Sequence, residues 1–213
     1  DLFAIESQIR AHNAHKKGHF KEYHVAVEHE KGILKTDEGS RPNSSVESLS
    51  ALKPVFDENG VVTAGNASQI SDGAAACLVM SRRKAKQLEL TPLATVTGYC
   101  ATGVAPSDVM SAPIHTVQKL WKMNNREGEK DYDLYEHNEA FASASLGVMQ
   151  GLHLKHEKLN VNGGAVAMGH PLGASGCRIV LALIHALRQS GGKRGFATAC
   201  LGGGMATAIE LEI

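Results

Sequence analysis

Residues 160–180 read NVNGGAVAMGHPLGASGCRIV, and the rest of the chain is best read outward from them. Gly169-His170-Pro171 sets a histidine in a sharp turn. Gly173, Ser175 and Gly176 then open an amphipathic helix over 174–189, which Gly191-Gly192 ends. A helix start offers free N–H groups and the positive end of a dipole. His170 is therefore placed beside a spot that favours anions, which suits a base acting on a developing thiolate or oxyanion. A phosphate-binding glycine loop, with His170 incidental, is the other reading. The G-x-G-x-x-G spacing is absent, because Gly169, Gly173 and Gly176 are four and three apart. At this point both readings stand.

Downstream, the apolar run FATAC (196–200) predicts a strand that delivers Cys200 into Gly202-Gly203-Gly204, and 205–211 predicts a second strand. Function in open α/β sheets collects at strand ends, and glycines let backbone N–H groups face a ligand. Upstream, a short strand over 133–135 and a helix over 139–152 flank Glu136-His137-Asn138-Glu139. Asn138 fits a helix N-cap and Glu139 a first helical turn. A functional alternative is a side chain that orients water or a neighbouring histidine. Helices over 82–88 and 113–123 and strands over 74–80 and 93–99 complete an alternation that predicts a layered α/β domain over 73–213.

Residues 1–72 differ. A helix over 1–18, a short strand over 23–27 and a short helix over 44–52 are joined by turn-prone chain. The small residues of VVTAGNASQISDGAAA (61–76) would let a ligand approach the backbone closely. His12, His15 and His19 can share a helical face, but no carboxylate or cysteine cluster completes a metal site, so a solvated face is expected and no metal.

The 213 residues carry 22 Lys+Arg against 22 Asp+Glu, a balance that argues against nucleic acid as a partner. No apolar run reaches the length of a membrane span. The four cysteines form no C-x-x-C pair, so a reducing compartment is expected. Cys77 and Cys177 read as small core hydrophobes and Cys100, at a strand end, as packing. The chain opens DLFAIESQIR, without Met or a signal pattern, which predicts a segment before residue 1.

Four segments in this order resemble the thiolase family: VTAGNASQISDGAAA (62–76), HNEAFA (137–142), NGGAVAMGHPLGASG (162–176) and CLGGGMA (200–206). The match covers essentially the whole chain and is far more specific than a lone glycine signature. The resemblance implies an α/β fold in which the thiolase C-terminal layered domain, a mixed sheet with helices on both faces (73–213), follows part of a loop or lid domain (1–72). It implies an acyltransferase that cleaves 3-ketoacyl-CoA with CoA or condenses two acetyl-CoA molecules.

By motif, His170 matches the histidine that activates the nucleophile. Cys200 matches the second cysteine, which moves the proton at the α-carbon of acetyl-CoA. His170 and a water held by Asn138 match the enolate oxyanion hole, and the N–H of Gly202 matches half of a second hole. Arg41 and Ser48 match positions near the nucleotide end of CoA, and Phe56, Ala64, Ala67 and Ser68 line its pantetheine tunnel. No cofactor or metal is implied, CoA thioesters being substrates.

The resemblance also implies a homo-oligomer, dimer or tetramer, in the full-length form. Its nucleophilic cysteine lies in an N-terminal thiolase domain, in cis or on a separate chain, and none of Cys77, Cys100 and Cys177 stands in that motif. A cytoplasmic location is expected, with mitochondria and peroxisomes open. Gln69, Ser71, His137 and Cys177 depart from the family pattern, and His137 adjoins the enolate site. The competing reading is a CoA-binding or partner-binding module that kept the fold without catalysis. A ketoacyl synthase is a weaker rival, lacking the cysteine-plus-glycine ending.

Overall fold

The computed structural model describes residues 1–213. In chain order the elements are α1 (Leu2–Lys16), β1 (Val27–His29), β2 (Gly32–Leu34), α2 (Val46–Ser50), α3 (Arg82–Gln87), β3 (Thr95–Gly103), α4 (Ala112–Met123), β4 (Leu134–His137), α5 (Ala142–Gly151), α6 (Ala165–Met168), α7 (Ser175–Ser190), β5 (Arg194–Leu201) and β6 (Met205–Glu212). The main sheet has strand order β3-β6-β5-β4. It is mixed: β6 runs antiparallel to both β3 and β5, while β4 and β5 are parallel.

Helices cover both faces, as expected. Side chains alternate along a strand, so neighbours on β5 serve different layers. Phe196 joins Val117 and Leu120 of α4 in one apolar cluster, whereas Ala197 joins Ile179, Leu183 and Leu187 of α7 in the other. The residues of α7 that meet the sheet repeat at helical spacing, and Gly191, at φ 71°, ends the helix in the left-handed conformation.

α1 packs into the same body. It buries Phe3, Ala4, Ser7, Gln8, Ala11 and Ala14. The Gln8 amide donates to Val166 O of α6 at 3.2 Å, and Arg10 donates to His156 O and Leu159 O at 3.0 and 2.6 Å. β1 and β2 form a separate antiparallel pair, so the strand expected over 23–27 lies mostly further along the chain.

The expected strand over 74–80 does not form. No other strand lies beside it, and Leu78 and Val79 are 86% and 81% exposed. A strand is defined by its cross-strand hydrogen bonds, and an apolar run alone does not supply the partner. Cys77, expected as a small core hydrophobe, is exposed in this chain. Cys100 lies inside β3, not at its end, and its thiol donates to Thr116 O of α4 at 3.3 Å.

Candidate active site

β4 and β5 run parallel, so their C-terminal ends open on the same edge. His137, the last residue of β4, registers with Thr198, and Asn138 extends the pairing by donating its N–H to Thr198 O at 3.0 Å. Two residues past Thr198, β5 carries Cys200. The tight link Leu201–Met205 then turns through Gly203 and Gly204, at φ 83° and 86°. Val104 N–H donates to Gly204 O at 2.7 Å and ties this turn to the end of β3. A Cβ on Gly202 would meet nothing within 4 Å, so the space beside its Cα is open.

His170 reaches this edge from the turn between α6 and α7. Its backbone N–H donates to Gln69 O at 3.0 Å. Its ring lies between two partners, with Asn138 Nδ2 3.2 Å from Nε2 and Ser175 Oγ 2.6 Å from Nδ1. The Ser175 hydroxyl donates to Pro171 O at 3.0 Å, so it accepts from Nδ1–H. In that tautomer the Nε2 lone pair accepts from Asn138 Nδ2. Burial, then the Arg178 charge, hold His170 below the usual histidine value, which keeps it neutral at neutral pH. Burial pushes the Cys200 thiol up, so it rests protonated.

Asn138 is not a helix cap. α5 begins at Ala142, with Phe141 in the cap position. The backbone from 138 to 142 is committed elsewhere: Asn138 to Thr198, Ala140 O to the N–H of Ser68 at 3.0 Å, and Ala142 N–H to Asn66 O at 2.8 Å. Glu139 is likewise not a first-turn residue. It is buried and accepts from Asn160 Nδ2 (2.8 Å), Ser7 Oγ (2.7 Å) and Val166 N–H (3.2 Å). One carboxylate thus joins α1, α6 and the β4 exit. His137 points to α5, its Nδ1 2.9 Å from Ser145 Oγ, and burial pushes it down to about 4, so it is neutral.

The expected CoA-facing residues divide. Ala67 bridges to Phe141 and the Ser68 N–H reaches Ala140, so both lie against the Asn138 loop. Phe56 stacks edge-on against Phe141, ring centroids 5.7 Å apart, and remains 75% exposed. Ala64 is exposed beside Gly65, where a Cβ would lie 2.4 Å from Leu49 of α2. Without a side chain at 65, α2 closes over this strip. Ser48, on α2, forms a capping box with Ser45 and is occupied there. Arg41 donates its backbone N–H to Gln8 Oε1 at 2.6 Å and keeps its side chain exposed.

Ser175 and Phe141 are the site residues to which sequence reasoning gives no role. Ser175 stood in the quoted glycine-rich stretch, five positions after His170, but nothing in spacing shows that its hydroxyl folds back on the ring.

Comparison with known proteins places the chain in a family. The family models "Thiolase, N-terminal domain" and "Thiolase, C-terminal domain" match residues 1–83 and 90–213. The chain belongs to the thiolase family. It is 45% identical to an acetyl-CoA acetyltransferase of Chromobacterium violaceum, over 100% of this chain and 55% of that protein. It is 47% identical to a probable acetyl-CoA acyltransferase of Staphylococcus aureus over the same shares. The crystal structure of the Bacillus anthracis acetyl-CoA acetyltransferase matches with a TM-score of 0.94 at 38% identity, covering 100% of this chain and 55% of that one. Human mitochondrial 3-ketoacyl-CoA thiolase in complex with CoA matches at 0.92, also 38% identical, covering 100% and 53%. The chain spans about half the length of these relatives.

Proposed function

We propose that the chain supplies the acid/base half of a thiolase-type acyltransferase, which cleaves 3-ketoacyl-CoA with CoA or joins two acetyl-CoA molecules. The observation that carries this is the ring of His170 held between Asn138 and Ser175, at the strand edge that also bears Cys200. Neutral His170 takes the proton of a nucleophilic thiol at Nε2. That thiol belongs to the remainder of the N-terminal thiolase domain, in cis or on a separate chain. The imidazolium then presents Nε2–H, beside a water on Asn138, to the thioester oxygen as charge develops there. The acyl-enzyme divides one difficult step into two.

Cys200 moves the α-proton. Its protonated resting state is the one that donates to the departing acetyl-CoA carbanion in the cleavage direction, while condensation begins from the thiolate. The Gly202 N–H faces the acyl carbonyl. CoA enters along Phe56, Ala64, Ala67 and Ser68, with Arg41 and Ser48 toward its nucleotide end. The substrate's own thioester carries the chemistry and no further cofactor enters. Assembly as a dimer or tetramer in the cytoplasm completes the reading.

Acetoacetyl-CoA cleavage by the natural-length protein, followed with free CoA, tests this reading. Turnover that needs both the thiolase N-terminal nucleophile and Cys200 is expected; CoA binding with no turnover in any assembly would leave a binding module instead. Ser175 acts through His170 as a positioning residue. Ser175→Ala is expected to lower kcat about tenfold, about 1.4 kcal/mol, with KM little changed. The pH midpoint of the acidic limb should also move, a shift that a purely structural loss would not produce.

A further inference from the structure

β4 is an edge strand, last in the order β3-β6-β5-β4. Backbone groups alternate in direction along a strand. Asn138 N–H turns inward to Thr198 O, so the groups of Tyr135 and His137 turn outward, away from β5. Asn160 meets them there. Its N–H donates to Tyr135 O at 3.0 Å. Its side-chain amide takes both groups of His137: Oδ1 accepts from the N–H at 2.8 Å, and Nδ2 donates to the C=O at 2.9 Å. One amide thus stands in for the peptide unit of a further strand. Asn160 does this from a left-handed backbone, φ 47°, which Asn adopts more readily than most residues.

Nδ2 has a second hydrogen, and donates it to Glu139 Oε1 at 2.8 Å. Asn160 therefore grips the residue on each side of Asn138, whose own Nδ2 meets His170. The other Glu139 oxygen accepts from Ser7 and Val166. Ser7 Oγ in turn accepts from Gly164 N–H at 3.0 Å, which carries the network into the segment leading to His170. A Cβ on Gly164 would overlap the Glu139 carboxyl, so only glycine fits there. Asn160 and His137 are 2% exposed and Asn138 and Glu139 1% within this chain, so chain packed outside them does not reach these bonds.

We propose that Asn160 is a positioning residue for the reaction, fixing Asn138 against His170 by holding the strand on one side of it and the Glu139 carboxylate on the other. The effect on turnover rests on the acyl-transfer reading; the contact itself rests on the fold alone. With Asn138 loose, its amide leaves Nε2, and the water it holds loses its place beside the developing oxyanion.

Reciprocal exchange of donor and acceptor in the natural-length protein tests this. Asn160→Asp sets two acceptors against each other, and Glu139→Gln sets two donors. The double variant restores one donor and one acceptor with the direction reversed, while the other oxygen at 139 still accepts from Ser7 and Val166. Each single variant is expected to lower kcat for acetoacetyl-CoA cleavage about tenfold, with KM little changed. The double variant is expected to be more active than either. Nuclear magnetic resonance of ring-labelled histidine reads the contact without turnover. The Nε2 signal of His170, identified by its absence in His170→Ala, should move in each single variant and return in the double. Folded single variants with the unmutated kcat, a lowered kcat with that signal unmoved, or a double variant no more active than the singles would overturn the proposal. A signal that moves and returns in a protein that never cleaves acetoacetyl-CoA would keep the positioning of Asn138 and remove the acyl-transfer reading instead. Should Asn160→Asp not fold, Asn160→Gly keeps the left-handed backbone without a charge beside Glu139. It is expected to lower kcat and move the signal, and unchanged values there would overturn the proposal.

Discussion

His170→Ala in the natural-length protein is expected to lower kcat for acetoacetyl-CoA cleavage by roughly a thousandfold, about 4 kcal/mol of barrier, without loss of folding. The size follows from the two duties that meet on one atom. In the proposed mechanism Nε2 first takes a proton and then, protonated, faces the developing oxyanion, so its loss removes a base and a donor together. Folding should survive because the ring is half-buried and its partners Asn138 and Ser175 keep other bonds, to Thr198 and Pro171. In the unmutated protein the acidic limb of kcat/KM should have its midpoint below 6.5, since burial and Arg178 favour the neutral ring. A His170→Ala variant retaining a tenth of the activity would remove this residue from the chemistry.

A loss of about 4 kcal/mol in unfolding free energy is expected for Glu210→Ala, because removing one partner strands the others. Glu210 on β6 is fully buried and accepts from Arg126 at 2.6 Å, Tyr132 at 2.5 Å and Thr97 at 2.8 Å. These partners come from β3, the chain after α4 and the chain before β4, so the carboxylate braces one end of the sheet. Glu210 registers with Phe196, at the end of β5 away from Cys200, so activity per folded molecule should change little.

The same group sets a pH dependence. Its hydrogen bonds outweigh burial and bring its pKa down from 4.5 to about 2. A depressed carboxylate contributes stability that is fully present above its unfolded value and is lost as pH falls through its folded one. The unmutated protein should therefore be favoured over Glu210→Ala above pH 4.5, with the margin shrinking toward pH 2. Urea titrations of both proteins across that window measure the margin. A constant gap, or one under about 1 kcal/mol, the level of a surface pair, would show that the brace contributes little.

Local pattern made much of this molecule legible, and distance along the chain hid the rest. α7 was readable because its apolar spacing and its closing glycines agree. FATAC was readable as a strand because a short apolar run ends in glycine. The run over 74–80 has the same character, yet it forms no strand, since pairing depends on what lies alongside it. The strand order β3-β6-β5-β4 has no local signature either.

The site shows the same division. His170, Asn138 and Cys200 stand in recognisable motifs, whereas Asn138 looked like a cap because Asn before a helix usually is one. Its backbone is instead spent on Thr198, sixty residues away in sequence. Glu139 resembled a dipole partner for the same reason, until Ser7, Asn160 and Val166 converged on it. Cys77 and Cys177, a hundred residues apart, are neighbours only in the fold.

The central claim is that this strand edge moves a proton at the α-carbon of an acyl-CoA. Deuterium exchange into the methyl group of acetyl-CoA, catalysed by the natural-length protein and by its Cys200→Ala variant in heavy water, reads that step directly. The variant is expected to become acylated still but no longer to exchange. Exchange at the unmutated rate in Cys200→Ala would contradict it.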